Sequence, residues 1–216
     1  MAARTAKLFD ENWERYDNWF EKHRDIYFSE LKALQKALPG GNGLEIGAGS
    51  GRFAQPLGVK VGTDPSINML RLAKKRGVEA VQGVGEALPF KDCTFDFVLI
   101  VVTLCFVEEP EYVLREACRV LRSGGMLIVG EINKGSSWGR LYEAKRNKSN
   151  FYKIATFYSS NEIIELFDKL EIRYLESYQT LLQPPGVFEV EEDPENGADR
   201  GGFVVIVGVK NHFSTS

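Results

Sequence analysis

The sequence predicts a doubly wound α/β fold, a mostly parallel sheet with helices on both faces, in a single domain spanning 1–216. Three observations carry this. Strand-like stretches alternate with amphipathic helical ones from about residue 43 to residue 131. The segment Phe95 to Val102 is apolar at nearly every position, as a parallel strand covered on both faces must be. The run GLEIGAGSG, Gly43 to Gly51, places glycines where a strand would turn into a helix, the position at which such sheets bind ligands.

The elements follow in order. Phe9, Trp13, Tyr16 and Phe20 fall on one face of a first helix, and Tyr27, Leu31, Leu34 and Leu38 on one face of a second. Pro39-Gly40-Gly41 stops the second helix. Gly43 to Ile46 reads as a short buried strand, with a brief helix from Arg52. Val59 to Thr63 is the next strand. Ser66 caps a helix that turns Ile67, Leu70 and Ala73 inward and ends at Gly77. Val78 to Gln82 and Phe95 to Val102 are the third and fourth strands. Pro110 opens a helix with Val113, Leu114, Ala117, Val120 and Leu121 on one side. Ser123-Gly124-Gly125 ends it before a fifth strand, Met126 to Glu131. Ser159 and Glu162 have the spacing of a capping box for a helix over Ser160 to Leu170. Two strands without a helix between them, Ile172 to Leu182 and Phe203 to Val209, predict an antiparallel pair at a sheet edge.

Composition narrows the function. The 216 residues include 44% hydrophobic ones, enough for one core, and the net charge of −3 is not the basic footprint of a nucleic-acid binder. Cys93, Cys105 and Cys118 form no CxxC pair, and His23 and His212 are the only histidines, so no metal site is expected. The first residues lack the apolar core of a secretory signal. The longest largely apolar run, Phe97 to Val107, is too short to span a bilayer. A soluble cytoplasmic protein with no membrane or nucleic-acid partner is expected. Nothing in the sequence fixes its oligomeric state.

Glycines at a strand-to-helix turn let backbone approach a ligand and adopt positive φ. The dinucleotide fingerprint G-x-G-x-x-G fits poorly, because from Gly47 the third glycine comes one residue early and Arg52 takes its place. Glu45, two residues before Gly47, would repel a diphosphate and suit an ammonium group. Asp64, at the tip of the second strand, can accept hydrogen bonds from both hydroxyls of a ribose. Together these residues describe a ligand with a ribose and no pyrophosphate.

Four segments carry a family resemblance: Leu44 to Gly51, Val61 to Leu70, Glu86 to Phe90 with Thr94-Phe95-Asp96, and Arg119 to Gly125. In order and spacing they resemble a class I S-adenosylmethionine-dependent methyltransferase, closest to the small-molecule, type 11-like group. The resemblance implies seven strands in the order 3-2-1-4-5-7-6 with strand seven antiparallel. It also implies an N-terminal helical lid over 1–40, a cofactor-binding half over 41–135 and a substrate side over 136–216. It implies S-adenosyl-L-methionine as cofactor. Gly47, Ala48 and Gly49 would face its methionine and ribose, Glu45 and the Val101 carbonyl its ammonium, and Asp64 its ribose hydroxyls. Pro65 and Met69 would lie near the adenine, Val84, Gly85 and Glu86 at the adenine edge, and Tyr16 at the methionine carboxylate. Two departures stand out. Val84 replaces a frequent acid, and Thr103-Leu104-Cys105-Phe106 lacks the histidine that often follows strand four.

Methyl transfer demands alignment of the acceptor and exclusion of water. Without that histidine, the expectation leans toward a nitrogen or sulfur acceptor, with Tyr16 and His23 as the candidate bases. Aromatic residues gather at 13–28 and 138–158, which suits either packing of lid helices or a pocket for a small-molecule acceptor, including a cationic amine. Two other readings remain open at this point: a nicotinamide-dependent oxidoreductase and a non-catalytic S-adenosylmethionine-binding protein.

Overall fold

In the computed structural model, which describes residues 2–170 and 172–211, the alternating stretches become one eight-stranded sheet. Its strands are β1 (Gly43–Ile46), β2 (Val61–Asp64), β3 (Glu79–Gln82), β4 (Phe95–Val101), β5 (Leu121–Ile132), β6 (Ile172–Thr180), β7 (Glu195–Asn196) and β8 (Phe203–Lys210). The order is β3-β2-β1-β4-β5-β8-β6-β7. The first five strands pair in parallel, and β8 runs antiparallel to both β5 and β6. β8 therefore takes the place of the expected seventh strand. The two-residue β7 is an additional edge strand that the expected order lacks.

The helices are α1 (Ala2–Glu11), α2 (Trp13–Lys22), α3 (Arg24–Ala37), α4 (Ile67–Lys75), α5 (Pro110–Val120), α6 (Ser137–Ala144), α7 (Asn150–Ile154) and α8 (Ser160–Lys169). β4 shows why both faces are covered. Alternate side chains point to opposite sides. Val98 and Ile100 pack in a cluster with Val113 and Leu114 of α5 and Phe167 of α8. Phe97, Leu99 and Val101 join Ala33 and Leu34 of α3 and Leu70 and Ala73 of α4. The capping box forms as its spacing predicts: Ser159 Oγ accepts from the Glu162 N–H, and Glu162 Oε2 accepts from the Ser159 N–H at 2.7 Å.

Several boundaries differ from expectation, each for a local reason. The first predicted helix splits, because Asn12 leaves helical geometry and its side-chain amide donates to the Leu8 carbonyl. His23 breaks the chain a second time, giving three leading helices. No helix follows Arg52. Residues 52–58 form turns, since Pro56 has no N–H to continue the ladder and Gly58 takes φ +71°. Ile67 is 48% exposed, and Met69 joins Leu70 and Ala73 on the buried side of α4. Leu121 belongs to β5 rather than to the helix before it, because its backbone is already extended and it pairs with Phe95. His212 lies outside the described residues.

Candidate active site

The carboxyl ends of β1, β2 and β4 and the leading helices enclose a cavity. Tyr16, Gly47, Gly49, Asp64, Pro65, Met69, Val84, Gly85 and Glu86 line it. Gly83, Val102, Thr103, Phe106 and Val107 complete the wall from the sheet side, and Thr5, Ala6 and Phe9 from α1. Glu45, Ala48 and Val101 do not line it. They are buried beside it, and the Val101 carbonyl accepts from Thr103 Oγ1 at 2.9 Å. His23 lies elsewhere, stacked on Trp19, with Nδ1 2.9 Å from the Trp19 carbonyl.

The loop after β1 is held open by its backbone. The N–H groups of Gly47 and Ala48 both donate to the Thr63 carbonyl, at 2.8 and 3.0 Å. Gly47 has φ +71°, and a Cβ there would collide with the Thr103 side chain. Gly49 has φ +52°, yet nothing lies within 4 Å of where its Cβ would sit. The space beside Gly49 is the cavity itself. Gly49→Leu should therefore fold, at a cost of about 1–2 kcal/mol for the left-handed backbone, while filling the cavity. Thermal melting and calorimetry with S-adenosylhomocysteine check this. A variant that binds as wild type would show that no ligand occupies the space.

Asp64 anchors the loop from the far side. One carboxylate oxygen accepts from the Gly49 N–H at 3.0 Å, the other from the Ser66 N–H at 2.8 Å. Burial pushes its pKa up to about 6 despite these bonds. Glu45 is 1% exposed, and its Oε2 has no hydrogen-bond partner among the described residues. Burial holds it well above the carboxylate range. Glu45 is thus a buried neutral group behind the wall, and the fit to a cofactor rests on the groups that line the cavity: the backbone of Gly47 and Gly49 offers a cradle that a side chain does not obstruct. A cavity-wall carboxylate at the end of β2 fits a ribose. The donor set therefore suits S-adenosylmethionine.

Two aspartates tie the leading helices down. Asp10 of α1 accepts from Ser66 Oγ at 2.7 Å and from the Asn68 N–H at 2.9 Å, at the N-terminus of α4, where negative charge is favoured. Asp17 of α2 accepts from Ser50 Oγ at 2.6 Å and pairs with Arg52 at 2.9 Å and Arg76 at 2.8 Å. Arg52, the residue that spoils the dinucleotide fingerprint, thus clamps α2 to the glycine loop.

These features belong with what the chain resembles. A methyltransferase-domain family matches residues 44–129, from β1 into β5. A Thermotoga maritima S-adenosylmethionine-dependent methyltransferase, a possible histamine N-methyltransferase, superposes with TM-score 0.92 at 45% identity, over 95% of this chain and 99% of that one. The chain belongs to the class I S-adenosylmethionine-dependent methyltransferases. An uncharacterized protein of Methanocaldococcus jannaschii is 44% identical over 94% of this chain and 98% of its own length. The Synechocystis magnesium protoporphyrin IX methyltransferase with bound S-adenosylhomocysteine shares the fold, with TM-score 0.69 at 13% identity over 98% of this chain and 100% of that one. S-Adenosylmethionine is the cofactor of the methyltransferase described here.

A second cavity, of about 400 Å³, adjoins the first. The two share Tyr16, Val102 and Phe106 as a common wall. Val102 has φ +44°, a conformation that costs a β-branched residue about 1–3 kcal/mol and clusters at functional sites. The residue is held there by its N–H, which donates to the Gly130 carbonyl at 2.8 Å. Glu131 supports the next two residues, with Oε1 accepting from the N–H groups of Thr103 and Leu104 at 2.9 and 2.8 Å. Sequence reasoning missed Val102 because an apolar strand end carries no sign of its backbone twist. It also missed Glu30, although an acid three residues after Tyr27 and four before Leu34 stands on the apolar face of its helix. No helix among the described residues is long and apolar enough to cross a membrane.

Proposed function

We propose that this methyltransferase acts on a small-molecule acceptor through nitrogen or sulfur, with the acceptor seated in the second cavity. The shared wall of Tyr16, Val102 and Phe106 carries this reading, because it brings an acceptor directly against the cofactor cavity. The volume lies within the range of small-molecule sites, and the walls are largely aromatic.

Bound S-adenosylmethionine supplies a methyl group on a sulfonium, which needs an aligned nucleophile more than an activated one. This chain's residues align and shield. Phe9, Phe106 and Phe151 pack edge to face or tilted at ring distances of 5.0 Å, and Tyr16 lies 5.2 Å from Phe9 and 5.8 Å from Phe151. These rings give the junction of the cavities an apolar rim, which disfavours water there. Tyr16 is a poor base, because burial drives its phenol far above the normal range. It serves as a hydrogen-bond donor to the cofactor's carboxylate. In the cofactor cavity, Asp64 holds the ribose, Gly47 and Gly49 offer backbone to it, and Met69 with Val84 to Glu86 flanks the adenine. Glu45, Ala48 and the Val101 carbonyl support the methionine end from behind the wall.

The test is release of S-adenosylhomocysteine in the presence of small amines, thiols and alcohols. Turnover with amines or thiols and none with alcohols is the expected outcome. Turnover only with alcohols, carbon acids or a protein substrate would overturn the reading.

A further inference from the structure

The second cavity has a polarity of its own. Glu30 of α3 lines it and is 3% exposed. Burial alone pushes the Glu30 carboxyl up to about 8, with no hydrogen bond or charge from a described residue to offset it. Its surroundings are aromatic: Phe20, Phe53, Tyr142 and Tyr152 line the same cavity. The Tyr142 and Tyr152 rings lie 4.8 Å apart. An isolated carboxyl in such a place is costly unless something pairs with it. Aromatic faces around a carboxyl are the standard surroundings for an organic ammonium.

The opposite end differs. Arg15, Lys145 and Lys148 also line the cavity and are exposed, so they stand at its mouth. None of the three forms an ion pair with a described residue. A purely cationic acceptor would meet three positive charges on entry. A purely anionic one would leave Glu30 unpaired.

The geometry points to an acceptor that is a zwitterion: a small amine that also bears a carboxylate or similar anion. Glu30 anchors its ammonium at the floor, and Arg15, Lys145 and Lys148 hold its anionic group at the mouth. The atom that receives the methyl group is a third point on the molecule, at the wall of Tyr16, Val102 and Phe106. This rests on the methyltransferase reading and on the placement of the acceptor in the second cavity. Glu30 is then a specificity residue, since it does not line the cofactor cavity.

Matched sets of probes separate the two ends. The first is L-histidine, histamine and imidazolepropionate; the second is L-phenylalanine, phenethylamine and 3-phenylpropionate. Each is titrated by calorimetry into protein saturated with S-adenosylhomocysteine. In at least one set the zwitterion should bind about tenfold more tightly than either relative, since one charge-assisted pair is worth about that factor or more. Glu30→Gln should weaken the zwitterion and the amine about tenfold while leaving the acid within about twofold. The Lys145→Ala/Lys148→Ala double variant should weaken the zwitterion and the acid and spare the amine. Unchanged S-adenosylhomocysteine affinity in Glu30→Gln reports an intact fold.

Binding of no probe, strongest binding by the amine or the acid, or equal weakening of all three probes by Glu30→Gln would each overturn the proposal. Loss of S-adenosylhomocysteine binding by the wild type is a different failure, since it strikes the methyltransferase reading itself.

Discussion

Asp64→Ala is expected to weaken S-adenosylhomocysteine binding by about 100-fold or more, roughly 2.7 kcal/mol. Two contributions add. The variant loses the acceptor oxygens proposed to hold the ribose, and hydrogen bonds to a charged group are worth about 1.5–3 kcal/mol. It also frees the N–H groups of Gly49 and Ser66, which lie 3.0 and 2.8 Å from the carboxylate, so the cradle loses its brace. Asp64→Asn removes the charge and keeps one of the two acceptor oxygens, so it retains part of the brace. It also tests a sign. Burial raises the Asp64 pKa to about 6, so the folded state disfavours its charge. The stability tied to its proton is complete below the unfolded value of about 3.9 and is lost as pH rises through about 6. The stability of the unliganded wild type relative to Asp64→Asn, whose side chain does not titrate, should therefore fall between about pH 4 and about pH 7, and the variant should bind more weakly. Calorimetry and melting curves measured together decide it, and a variant that binds as well as wild type removes Asp64 from the site.

The second large effect is expected at Asp17. Asp17→Ala leaves Arg52 and Arg76 without their shared partner, at side-chain exposures of 16% and 25%. Breaking a fully buried pair costs about 3–5 kcal/mol, and partial solvation at this site lowers that to about 2. For a chain of this size the melting temperature should fall by roughly 4–8 °C. Burial opposes the Asp17 charge, but bonds from Arg52, Ser50 and Arg76 outweigh it and bring the pKa down to about 2. The sign is opposite to that of Asp64. This stability is present above the unfolded value of about 3.9 and is lost as pH falls toward 2. Wild type should therefore lose its advantage over Asp17→Ala across that window. A constant difference between the two down to pH 2 would show that the latch is not electrostatic.

What the sequence made legible follows the range of the interactions. β1 to β5 and the glycine loop were readable because short apolar runs, a terminal acid and glycine spacing are all local signals. The Ser159 capping box spans three residues and was readable for the same reason. The Asp17 latch was not, since Asp17 meets Ser50, Arg52 and Arg76 across 33, 35 and 59 positions of chain. Arg52 looked like a defect in a fingerprint until its partner came into view. The splitting of the leading helices at Asn12 and His23 also escaped the pattern, because an apolar stripe of period 3.6 does not record where the backbone breaks. The two-residue β7 is too short for any period to register.

The partition between the cavities has a further consequence, for how such an enzyme diversifies. Tyr16 walls both chambers, so a change at that one residue cannot alter one chamber without disturbing the other. From Tyr142 to Phe157, the residues that line a cavity line only the one proposed for the acceptor, and of these Phe151 packs on the Phe9 and Tyr16 rings of the other. Mutation can remodel that stretch outside Phe151 without touching the wall of the cofactor cavity. Within one lineage, new acceptor preferences can therefore arise between β5 and α8 by small steps, each leaving a working cofactor site behind it.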